Sequence, residues 1–197
     1  MAVYASDPNS ELPRLKPNID RILEVILFVI GAALEKDKPA TKYEIAKAIF
    51  IADVKHLEKY GRPITFDNYS ALPDGPVPSF TLSILEPHFN WGSIGLSKLW
   101  ETEPAPRGGS KAIQYINPKR SADLDRLSAT DTEALNKALA DVWKMGFHGT
   151  RDYTHDIPAY KEAWAKRGDK KAFPMDYRHL IADDDLVSDL IDASQFV

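Results

Sequence analysis

A chain of 197 residues, 44% hydrophobic and 27% charged, is long and apolar enough for one folded domain with a modest extension at each end. It contains no cysteine, which excludes disulfides, thiolate metal sites and cysteine nucleophiles and fits a reducing, cytoplasmic setting. The net charge of −4 weighs against a phosphate-gripping surface, so nucleic acid is an unfavoured partner and a basic protein a better one.

Residues 1–17 hold three prolines and no sustained periodicity, and read as a mobile or docking arm rather than a secretory signal. The first helix starts after Asn18, a suitable N-cap. Ile22, Val25, Ile26, Val29 and Ala33 mark one face, and Leu23, Leu27, Ile30 and Leu34 fill the rest, as in a helix buried on most sides. Its apolar run, residues 25–34, is too short for a bilayer, which needs about 20 such residues. No membrane association is expected.

Thr41 and Glu44 form a capping box for a second helix carrying Ile45, Ala48, Ile49 and Ala52. Lys59 in the last turn, Gly61 at the left-handed C′ position and Pro63 beyond it give the stop signal. Residues 68–72 suit a short strand, and 73–78 a turn stiffened by proline around Gly75. Pro78 can open a short helix to about Glu86. Residues 98–102 and 112–117 suit a hairpin around the 104–110 loop. Ser128 caps a helix from Ala129 to about Met145, with Asp131 in its first turn, Leu135, Leu139 and Val142 inward, and Gly146 after it. A further helix begins near Asp156 and Pro158 and buries Tyr160, Ala163 and Trp164. The fold class is mainly α with a small antiparallel β element. The domain spans 18–166, and 167–197 form an acidic extension with a candidate docking helix.

Walker loops, nucleophile elbows, zincin helices, dinucleotide fingerprints and EF-hand loops are all missing. Asp53 and His56 lie one helical turn apart, a spacing that serves base catalysis or metal binding. His56 nevertheless projects with Ile45, Ile49 and Ala52 toward the core, so a buried, hydrogen-bonded structural pair is the preferred reading. His155 could join His56 in space, but without a third ligand this is thin support for a site. No cofactor, metal or catalytic residue is expected. A helix-turn-helix over residues 41–60 is the rival reading, yet no breaker falls between Ala48 and Asp53, and one continuous helix explains the stretch better. The turn at 73–78 can equally aim the next helix or, beside Tyr69, Asp74 and Phe80, form a rigid docking surface.

The run Ile-Phe-Ile-Ala-Asp-Val-Lys-His-Leu-Glu-Lys-Tyr-Gly-Arg-Pro-Ile-Thr (49–65), then Tyr-Ser-Ala-Leu-Pro-Asp-Gly-Pro-Val-Pro (69–78), resembles the core of the Panacea domain, the SocA-like antitoxin family also found in phage-associated proteins. Thr-His-Asp-Ile-Pro-Ala-Tyr-Lys-Glu-Ala (154–163) is similar to the family's second block. Asp53, His56, Tyr60, Gly61, Arg62, Pro63, Tyr69, Gly75, Pro76, Pro78 and His155 carry the match, over about residues 20–166. Two positions depart from the pattern: Phe66 stands where a small residue is expected, and Tyr160 where tryptophan is common.

The resemblance implies a mainly helical domain that neutralises a cognate toxin by direct contact. Many such toxins block translation, and alarmone-synthetase-like enzymes are one recurring class. It also allows an adaptor that delivers the toxin to a cytoplasmic protease; a DNA-binding regulator or a histidine-dependent enzyme are the more distant alternatives. Toxin choice is expected in the arm, the 104–110 loop and the tail. There Asp183, Asp184 and Asp185 could steer a basic toxin, with Leu186, Leu190 and Ile191 as a docking face.

Overall fold

The computed structural model describes residues 12, 14–107, 109–181 and 184–196, with the side chain of Asp184 left aside. Three helices make the frame: α1 (Ile19–Leu34), α2 (Lys42–Tyr60) and α4 (Ala129–His155). Asn18 caps α1 by accepting from the Arg21 N–H at 3.0 Å, and the Thr41–Glu44 capping box opens α2, both as expected. All the positions assigned to the two faces of α1 are buried except Leu34, which is half-buried. The helix α2 runs unbroken and ends on Gly61 in the left-handed region, φ +72°. Its continuity removes the turn that a helix-turn-helix requires.

The sheet differs from the expectation at one turn. Only Pro73 and Asp74 form it, and Gly75–Pro78 is itself a strand, β2, paired antiparallel with β1 (Tyr69–Leu72). Two prolines are tolerated there because the Ser79 N–H bonds the Asn68 carbonyl at 2.7 Å. Alternation from that bond puts Pro76 and Pro78 opposite Ala71 and Tyr69 at non-hydrogen-bonded pairs, where no ladder donor is needed. Pro78 then stands as the N-cap of α3 (Ser79–Ile84). The second hairpin forms as β3 (Glu101–Pro104) and β4 (Ile113–Ile116), shifted from the expected start at residue 98. It docks on the start of α2 through the Tyr115 N–H to the Ala40 carbonyl, 3.0 Å.

In α4 the Ser128–Asp131 capping box forms, and the backbone breaks at Gly146 (φ +66°, ψ −173°) before resuming as a helix over 147–155. The expectation of a helix ending near residue 145 thus holds for its first part and misses the second. After α5 (Pro158–Lys166), β5 (Phe173–Pro174) pairs with β1, giving the order β2-β1-β5. Tyr177 is buried, and its hydroxyl bonds the Asp67 carbonyl. The final helix α6 (Asp184–Ser194) turns Val187, Leu190 and Ser194 inward, and Ser194 Oγ accepts from the Lys16 N–H at 3.0 Å. The segment after Arg167 therefore adds a strand and a helix to the domain's own core. Among the described residues, no helix is long and apolar enough to cross a membrane.

Candidate functional site

Helix α2 is buried on nearly all sides between residues 45 and 57, so its polar side chains must find partners inside the protein. Asp53, fully buried, accepts from the Ile64 N–H at 2.8 Å, the Thr65 N–H at 3.0 Å, the Tyr69 hydroxyl at 3.1 Å and the Thr65 hydroxyl. It thereby fixes the chain that leaves α2 and enters β1. Burial pushes its carboxyl up to about 6, against these four donors. Asp67 does the equivalent for α3, taking the Phe80 and Thr81 N–H groups at 2.9 and 2.7 Å, and burial raises it likewise to about 6.

His56 is also buried, but it does not pair with Asp53. Its Nδ1 faces the Arg62 carbonyl at 2.9 Å, and its Nε2 lies 3.1 Å from both the Thr130 hydroxyl and Asp131 Oδ1. The carbonyl requires Nδ1 to be the donor. Burial lowers the imidazole's proton affinity, favouring the neutral ring whose Nε2 accepts from Thr130. Asp131, with no exposure, is held by Arg62 at 3.1 Å, by Arg21 and by the Ser128 N–H at 2.8 Å. Burial alone would raise its carboxyl; the Ser128 donors and the two guanidiniums outweigh that and hold it low. The expected Asp53–His56 pair is replaced by two separate anchors on successive turns. The reason is that Asp53 has closer donors in the 64–65 backbone, while the Arg62 carbonyl and α4 supply the partners for His56.

Toward the start of α2, at about 1.5 Å per residue some 14 Å from His56, lies a different arrangement. Lys47 is 1% exposed, and its ammonium donates to the Pro76 carbonyl at 2.8 Å. Burial pushes it down to about 7, with the charge of Asp74 opposing. Gly75 (φ +96°) lets the backbone pass here: a Cβ would sit 2.6 Å from Lys47 Nζ, 2.7 Å from Thr154 Oγ1 and 3.1 Å from His155 Cδ2. His155 stacks on Tyr160, with 4.4 Å between ring centroids. Its Nε2 is buried without a hydrogen-bond partner among the described residues, and burial followed by the cations of Arg151 and Lys47 lowers its proton affinity. The two histidines belong to different clusters and form no joint site. A cavity of about 670 Å³ opens beside Lys47, between the β1–β2 turn, the start of α2 and the break in α4.

The other motif residues fall into place around these clusters. Tyr60 covers His56, ring centroids 4.5 Å apart, and is 42% exposed. Gly61 bonds back to the Leu57 carbonyl, and Pro63 is buried. Tyr160, in place of the common tryptophan, bonds the Leu72 carbonyl at 2.9 Å and so ties α5 to β1. Phe66 sits at φ +54°, the left-handed backbone that explains why a small residue is expected there.

Of the expected contact residues, Asp74 and Asp185 are exposed and Phe80 and Leu186 half-buried, Leu186 lying against Gly61. Tyr69 and Leu190 are buried at 1% and 4%, so they present no docking surface in this arrangement. Asp183 and the side chain of Asp184 lie outside the described residues, as do residues 1–11 of the arm. Sequence reasoning missed Lys47, Arg21 and Asp67 as site residues. An apolar stretch on both sides of Lys47, from Ile45 to Ala52, is the one local hint that it is enclosed.

These features define a mainly helical α+β domain whose motif residues hold its frame beside the cavity at Lys47. The family model described as antitoxin SocA-like, Panacea domain, matches residues 45–164, more than half of the chain, and the chain belongs to that family. Its general role is that of an antitoxin. No curated protein and no solved structure matches the chain.

Proposed function

We propose that this protein neutralises a cognate protein toxin by binding it directly. Family membership over residues 45–164 carries the reading. It is supported by the use of Asp53, His56, Asp67 and Asp131, whose hydrogen bonds are engaged in joining backbone segments and capping helices. The binding face we favour surrounds the cavity, where the β1–β2 turn exposes Asp74 and the break in α4 exposes Phe147 at 45%. A half-exposed aromatic beside a preformed cavity is the kind of anchor on which protein interfaces concentrate affinity. The toxin acts on translation in this reading, as for many partners of the family.

The test is co-expression with the protein encoded beside it, scored for growth rescue, toxin level and co-purification. Rescue with a stable complex and undiminished toxin supports neutralisation by binding. Rescue with a falling toxin level would replace it by delivery to a protease. Absence of both rescue and complex would remove the antitoxin reading for that partner.

A further inference from the structure

The cavity wall carries five lysine and arginine side chains against three carboxylates. Among the described residues Lys47 forms no ion pair; its ammonium, with three N–H groups, donates to the Pro76 carbonyl and stands 5.6 Å from the centre of the Tyr43 ring, so no carboxylate answers its charge. A buried ammonium without an anion is costly and seldom kept for packing alone, since methionine fills the same space. On the same wall the indole Nε1 of Trp143 is buried with no hydrogen-bond partner among the described residues. Lys38 Nζ stands 4.4 Å from the centre of the Trp143 ring, adding a second cation.

The carboxylates that share this lining do not answer the need. Glu44 is held by Arg107 at 2.9 Å and by the Thr41 N–H at 2.7 Å, and Glu86 by Lys42 at 2.9 Å. Asp74 is exposed at the rim and acts on Lys47 through its charge without closing an ion pair among the described residues. What the cavity lacks is a small group that brings a negative charge and more than one acceptor atom. The rim decides its source. Phe147 is 45% exposed there and packs on Tyr43 at 4.7 Å between centroids, an apolar edge that a protein surface would cover and a free acid would leave wet.

We propose that the cavity seats an acidic side chain of the bound protein partner, a glutamate or aspartate whose carboxylate meets the Lys47 ammonium and the Trp143 indole N–H. This rests on the reading of the chain as a direct toxin binder. A charge-assisted contact of this kind explains both a buried lysine without a carboxylate partner and an indole N–H without an acceptor among the described residues.

The test uses the full chain and the toxin encoded beside it, with Lys47→Met and Trp143→Phe variants first checked for an unchanged fold by thermal unfolding. The expected result is a complex weakened by at least about tenfold for Lys47→Met, with a smaller loss for Trp143→Phe. If the wild-type chain binds and both variants bind within about threefold of it, the seat is overturned while the antitoxin reading stands. Should the wild-type chain itself fail to bind, that reading falls and the seat with it. If Lys47→Met does not fold, Trp143→Phe decides alone, and an unweakened complex overturns the proposal. A separate arm titrates free N-acetylglutamate. Saturable stabilisation of the wild-type chain, lost in Lys47→Met and with no effect of either variant on the toxin complex, assigns the site to a small acid and overturns the protein-side-chain assignment.

Discussion

The two halves of α2 handle buried polarity in opposite ways. In the second half, each oxygen of the Asp53 carboxylate has donors and both ring nitrogens of His56 have partners, and all of these partners belong to the protein itself. In the first half, Lys47 has one carbonyl, while Trp143 and His155 nearby keep a buried nitrogen with none. Buried polar groups that are fully paired specify a frame; those left open are free to take water or an external group. One helix thus carries both the part of the motif that builds the domain and the part that can bind.

The largest expected effect falls on the paired half. Asp53→Ala strands two backbone N–H groups and the hydroxyls of Thr65 and Tyr69 in the core, and should cost about 4 kcal/mol in urea unfolding. Asp53→Asn retains one acceptor oxygen and should lose about half as much. A loss under about 1 kcal/mol for the alanine variant would show that this half is less tightly specified than its geometry indicates.

Next in size is Gly75→Ala, where the new Cβ meets Lys47 and Thr154 at a backbone φ of +96°. Steric overlap and left-handed strain together should destabilise by about 3 kcal/mol. Adding Lys47→Ala removes one of the two shortest contacts and should restore about 1 kcal/mol in a double-mutant cycle. Additive losses would mean that Gly75 is required only for its backbone angle.

The frame was far more legible in the sequence than the open corner, for a physical reason. Asn18, Thr41–Glu44, Gly61 and Ser128–Asp131 act within a turn or so of their own positions, so local spacing exposes them. The turn at 73–78 misled because proline normally breaks a ladder. Only the register with Tyr69 and Ala71 makes Pro76 and Pro78 harmless in a strand. Lys47 was hidden more completely. Its enclosure comes from Gly75 and from Trp143 on α4, about a hundred residues along, and no local period records such a meeting. Asp53 and His56 were legible as buried, whereas their partners in the 64–65 backbone and in Thr130 follow from tertiary packing alone.

A pH series sharpens the contrast between the halves. The Lys47 ammonium, pushed from the usual 10.5 to about 7, holds fewer protons in the folded chain than in the unfolded chain between those values. Stability should therefore rise with pH above about 7, by at most about 1.4 kcal/mol per unit, and fall again as pH returns through that range. Lys47→Met should flatten the slope between pH 7 and 9 in urea midpoints. Asp53 and Asp67, at about 6, and His56 and His155, lowered from 6.5, change charge below this window. An equal slope in the methionine variant would show that Lys47 stays charged in the fold.

The smallest effect on stability is expected from two aromatic side chains of nearly equal exposure, Phe147 at 45% and Tyr60 at 42%. Phe147 stands at the open corner against Tyr43; Tyr60 covers His56 at the paired end. Either truncation to alanine should cost under about 1 kcal/mol in thermal unfolding, because much of each ring is already in water. Their effects on the toxin complex should nevertheless diverge. Phe147→Ala removes an anchor beside the cavity and should weaken binding by about tenfold, whereas Tyr60→Ala should leave it nearly unchanged. Exposure alone would predict equal losses. A loss confined to Tyr60→Ala would move the binding face to the other end of α2, and with it the meaning of the unpaired lysine.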